Sequence, residues 1–93
     1  MILSFRHKGL KIFFETGSTK GIQAKHAAKL RLILAALDAA ALDIESLNIG
    51  GAMLHMLEPK SANMYSIRVS GNWRITFRLA ESGVEIVDYL DYH

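Results

Sequence analysis

Ninety-three residues, 51% of them hydrophobic, with a single proline and no cysteine, describe one packed domain and exclude both a disulfide framework and a thiolate metal site. The net charge of +2 conceals an asymmetry: residues 1–31 carry seven basic residues and one acid, whereas residues 32–93 carry four basic residues and eight acids. A basic half on a small domain points to a polyanionic partner, nucleic acid first.

In chain order, MILSFR (1–6) alternates loosely and predicts a short first strand. Arg6, His7 and Lys8 follow with no secretory-type apolar core or cleavage site behind them. From His7 to Thr16, Leu10, Phe13 and Phe14 fall at i, i+3 and i+4, one helical stripe. Gly17 and Ser18 break it. Gln23 to Leu42 predicts a second helix with Leu30, Ile33, Leu34, Leu37 and Ala41 buried, and with Lys25 and Lys29 stacked on another face. His26 lies toward the edge of the apolar stripe, a packing position rather than a catalytic one. The run Leu30 to Leu42 is short and interrupted by Arg31 and Asp38, so no membrane span is expected and a cytoplasmic protein is.

Asn48, Gly50 and Gly51 mark a loop, after which the period changes from helical to alternating. Ala52 to Leu57 predicts a short strand ended by Pro59. Tyr65, Ile67 and Val69 alternate with polar residues, as do Trp73, Ile75, Phe77 and Leu79, and a final strand runs from Val84 to about Tyr92. The expected fold is α+β over residues 1–93: a short N-terminal strand and two helices packed on an antiparallel meander.

Opposed residues in a hairpin share a face. A two-residue loop of Gly71 and Asn72 would oppose Val69 and Arg74, mixing the faces. A three-residue loop sets Val69 opposite Trp73, Ile67 opposite Ile75, and Tyr65 opposite Phe77, so the pattern selects three. Arg68 then opposes Arg74, with Arg78 further along the same face. Opposed like charges repel. A phosphate between the planar forks would turn that repulsion into shared binding, which makes the arginine face a candidate anion site.

Of four histidines, His7 and His26 fall on the predicted helices, and His55 sits within MLHML. The run VDYLDYH (87–93) ends in Asp91, Tyr92 and His93, three side chains able to bind or move protons. The α-carboxylate beside His93 favours its charged ring. In a regular strand Asp91 and His93 share one face and Tyr92 takes the other. No Ser/His/Asp order, glycine-rich phosphate loop or metal-ligand spacing is present. A metal-free, cofactor-free group of His, Arg, Tyr and Asp beside a basic surface suits RNA cleavage by 2′-hydroxyl attack.

The stretches FRHKGLKIFFETG, GIQAKHAAKLRLILAALDAA, LHMLE, YSIRVSGNWRITFRL and VDYLDYH follow one another as in the HigB-type toxins of the RelE/ParE superfamily, also called plasmid maintenance killer proteins. SGNWRITF together with DYH is the specific combination, and the resemblance covers nearly the whole chain. It implies a RelE-like fold and a ribosome-dependent mRNA endonuclease that inhibits translation and is silenced by a helix-turn-helix antitoxin. Residue by residue, it implies catalytic roles for His55, Arg74, Asp91, Tyr92 and His93. Arg68 joins Arg74 on the scissile phosphate, and Arg78, Lys60, Lys8, Lys25 and Lys29 are further candidate RNA contacts. One departure stands out: Glu58 occupies the place of a family lysine, a carboxylate where a phosphate contact is expected, with Lys60 two positions on. Two other readings follow from the same residues. One is a catalytically weakened, antitoxin-binding regulatory subunit; the other is a gyrase-targeting toxin of the same superfamily, against which His55 and DYH weigh.

Overall fold

The computed structural model describes residues 1–39 and 64–91, together with the backbone strand formed by residues 54–56. Helix α1 spans Lys8–Thr16 and α2 spans Ala27–Ala39, the latter preceded by a 3-10 turn at Ala24–His26. Strands β1 (Leu54–Met56), β2 (Met64–Ser70), β3 (Trp73–Ala80) and β4 (Gly83–Asp91) form one antiparallel sheet in sequential order. The α+β meander expected from the pattern is the observed architecture.

Helix α1 starts one residue later than its periodicity predicts. His7 is extended and its Nδ1 accepts the Leu10 amide at 2.9 Å, so the imidazole acts as the N-cap that serine or aspartate usually provides. Leu10 and Phe13 are buried as the stripe requires, but Phe14 is 37% exposed, its ring tilted against Phe5. In α2, Leu30, Ile33, Leu34 and Leu37 are buried against Ile67, Ile75, Phe77, Val84 and Val87. Full burial of one such side chain contributes ~2–3 kcal/mol. The predicted continuation of α2 to Leu42, the loop at Asn48–Gly51 and the predicted strand residues Ala52, Met53 and Leu57, with Pro59, lie outside the described residues.

The predicted first strand is reduced to two parallel bridges, Ile2 to Val84 and Phe5 to Val87. Between them β4 bulges. Ile86 has φ 48°, an outlying backbone conformation for a β-branched residue, and its amide donates to Ser4 Oγ at 2.9 Å. The N-terminal segment thus covers the free edge of β4 and fixes its bend.

The β2–β3 hairpin corrects part of the predicted register. Its loop has two residues, Gly71 and Asn72, and Ser70, not Val69, opposes Trp73. The extra residue is in the strand: the ladder shifts between Arg68 and Ser70, leaving Val69 as a bulge. Beyond the bulge the expected pairs Arg68–Arg74, Ile67–Ile75 and Tyr65–Phe77 all form. Gly71 has φ 56° at the first loop position, where a type II′ turn demands glycine.

Candidate active site

Facing the helices, one sheet row runs Leu54–Ile67–Ile75–Tyr89; the adjoining row on the other face runs His55–Ser66–Thr76–Asp88. The next row on that second face is Arg68–Arg74–Leu90. His55 is therefore one strand across and two residues along from Arg68, a diagonal of about 7–8 Å between α-carbons. Ser66 and Thr76 in the polar row are buried. Arg68 is exposed, while Arg74 is half-buried and donates from Nη1 to the Gly71 carbonyl at 3.3 Å, which holds its fork beside the turn.

The two outer arginines differ. Arg78 donates to Glu85 Oε2 at 3.2 Å, so its charge already has a partner, unlike the free third member of the arginine face that the pattern implies. An exposed pair of this kind contributes about 0–1 kcal/mol. We expect Arg78→Ala to leave thermal stability within a few degrees and cleavage nearly unchanged, whereas Arg68→Ala weakens RNA binding and flattens its salt dependence. Filter binding over a salt series separates the two.

Asp91 pairs with Trp73 and so shares its face and that of Tyr89, not that of Arg74. The structure brings Arg68 and Arg74 beside the row that holds His55, and it places Asp91 at the same sheet end but on the opposite face. Tyr92, His93, Lys60 and Glu58 lie outside the described residues, as does the side chain of His55. Lys8, Lys25 and Lys29 ride on the helical layer, across the sheet from the arginine pair. A groove of about 280 Å³ lined by Phe13, Phe14, Gly17, Arg31, Leu34 and Ala35 also belongs to the helical layer. Among the described residues no cluster of His, Asp or Glu could hold a metal ion, and no helix is long and apolar enough to cross a membrane.

Two polar residues that the sequence did not single out together meet behind Asp91. His26, 4% exposed, and Tyr89, equally buried, are joined by a 2.5 Å hydrogen bond between imidazole Nδ1 and the phenol oxygen. Burial lowers the His26 pKa below its ordinary 6.5, with Lys25 adding to the effect. Burial raises that of Tyr89, and a backbone hydrogen bond at Gln23 acts the other way. Since His26 binds its proton less readily folded than unfolded, its contribution to stability is complete above pH 6.5. That contribution is lost as pH falls from there through the lowered folded value. Thermal denaturation at pH 8 and pH 5 should show a loss in acid that is smaller in His26→Phe; equal losses in both proteins would refute this.

Over residues 3–93 the chain matches the family described as the RelE-like toxin of the type II toxin–antitoxin system HigB. It belongs to that family. It is also 42% identical to the endoribonuclease HigB of Proteus vulgaris over 93 residues, all of both chains. The HigB-like assignment carries the RelE-like α+β fold and a toxin's dependence on a cognate antitoxin.

Proposed function

We propose that this HigB-like toxin is a metal-independent endoribonuclease that cuts mRNA in the ribosomal decoding site and is held inactive by a helix-turn-helix antitoxin. The observation that carries this reading is the full-length likeness to a protein named endoribonuclease HigB. The arginine pair next to the His55 row supports it. In the proposed step a base takes the 2′-hydroxyl proton and O2′ attacks phosphorus. The P–O5′ bond then breaks and an acid protonates the leaving O5′. His55 and His93 share these transfers, Tyr92 assists or orients, and Asp91 sets the geometry of its neighbours. Arg74, with Arg68, stabilises the charge that builds on the phosphoryl oxygens. Lys8, Lys25 and Lys29 grip ribosomal RNA and make association strongly salt-dependent.

The test is to incubate the purified protein with an mRNA, free or under translation, and to map new 5′ ends. Cuts confined to the translated reading frame are expected. Absence of cuts in both samples, with antitoxin binding intact, would favour the regulatory-subunit reading, to which Glu58 lends weight. Under the proposed reading, Glu58→Lys raises the cleavage rate by restoring a cation near the phosphate. An unchanged rate would mean that Lys60 already serves or that the position makes no contact.

A further inference from the structure

The buried pair His26–Tyr89 is costly for a core that needs only packing. With Nδ1 accepting from the phenol, a neutral His26 carries its proton on Nε2, and that atom is buried with no hydrogen-bond partner among the described residues. An unsatisfied buried donor destabilises, and an apolar ring of similar shape would remove the penalty. The location gives the pair a use. Tyr89 lies two residues before Asp91 on β4, and its ring stacks on Trp73 at 4.7 Å between centroids. Trp73 is the cross-strand partner of Asp91. His26 meets Trp73 edge-on at 5.7 Å, and His7, the α1 cap, meets Tyr89 edge-on at 5.5 Å. The α1 cap, the 3-10 turn and β3 therefore converge on Tyr89, two residues before Asp91.

We infer that His26 and Tyr89 are positioning residues: their hydrogen bond, with Tyr89 stacked on Trp73, fixes the last described rung of the β3–β4 ladder and so the placement of Asp91. Fixing matters because the phenol oxygen is held by directional partners, the His26 imidazole and the Gln23 backbone, where two apolar rings could slide. The inference rests on the endonuclease reading for its catalytic consequence, but not for its geometry.

The test uses the full chain carrying His26→Phe together with Tyr89→Phe, which removes both polar partners at once. Tyr65→Phe, which deletes a hydroxyl from another buried tyrosine of the same sheet, is the control. The double variant is expected to be at least as heat-stable as the parent, yet to exchange the amide protons of the Trp73–Asp91 rung faster. Its kcat on translated mRNA should fall by roughly 10–100-fold with KM nearly unchanged, the scale expected when a reacting group is displaced by about 1 Å. The control should match the parent in every readout. A merely structural pair would lower stability and kcat together, and that result would overturn the inference. So would parental exchange rates, or faster exchange with parental kcat. If the parent cuts no RNA, the endonuclease reading fails separately, and the exchange rates alone decide whether the pair holds the rung.

Discussion

Under the proposed mechanism, alanine at His55, or at His93, is expected to lower cleavage of translated mRNA by about 10²–10⁴-fold, the range for removing a positioned acid or base. A phosphodiester is cut by 2′-hydroxyl attack only if one group removes a proton while another delivers one to the leaving oxygen. LHMLE and DYH each contribute one imidazole, the side chain whose chemistry suits both transfers. By backbone register His55 belongs to the row adjoining Arg68 and Arg74, so under the proposed mechanism its loss removes a proton carrier and leaves the cations. Binding to RNA should fall far less than rate. The double alanine variant should be little worse than the poorer single one, because residues acting as a unit are not additive. Growth arrest on expression, cut-site mapping and antitoxin pull-down read the outcome. A His55→Ala protein that still cuts at the parental rate would remove His55 from the mechanism.

Alanine at Gly21 melts the domain at a temperature lower by about 10 °C or more. A β-carbon there would lie 2.6 Å from the α-carbon of Gly9, and one on Gly9 would lie 2.7 Å from the Gly21 carbonyl oxygen. Both obstacles are backbone, so neither can rotate aside. Overpacking costs about 1–3 kcal/mol when neighbours yield, and this contact lies at the upper end because a helix start must move. At Gly9 helix propensity opposes the clash by about 1 kcal/mol in favour of alanine, so Gly9→Ala should be the milder of the two. For a domain of this size each kcal/mol shifts the melting temperature by about 4–8 °C. Gly71→Ala is the comparison: it strains only its φ of 56°, with no atom within 4 Å of the new carbon. An unchanged melting temperature in Gly21→Ala would refute the contact.

Much of this fold is legible because alternation is a strong constraint. Ile67 and Ile75 can face the helices in one parity only, so the Arg68–Arg74 pair follows from pattern. Alternation does not say where an extra residue sits, and the chain places it at Val69 within the strand instead of in the loop. Phe14 satisfies the helical spacing yet stays exposed, since the stripe is narrower than three consecutive positions on a nine-residue helix. The His26–Tyr89 bond joins residues 63 apart, and no local period reports such a pair. Tyr89 reads as one more apolar position in an alternating run. The candidate site residues come from the shared stretches more than from physics, which offers His, Arg, Tyr and Asp, and the register sets Asp91 and Arg74 on opposite faces.

The N-terminal bridges set an order of assembly. Ser4 holds the amide of Ile86, and Met1 and Leu3 exchange hydrogen bonds with Val84, so the N-terminal segment closes against a strand far along the chain. Contacts of such separation form late, after the loop-closure entropy of nearly the whole chain has been met. While β4 is still being made, the nascent chain can form helices and the β2–β3 hairpin, but β4's bulge and edge have no template. The bend of β4 is therefore set only when two segments of chain 82 residues apart, at Ser4 and Ile86, have met.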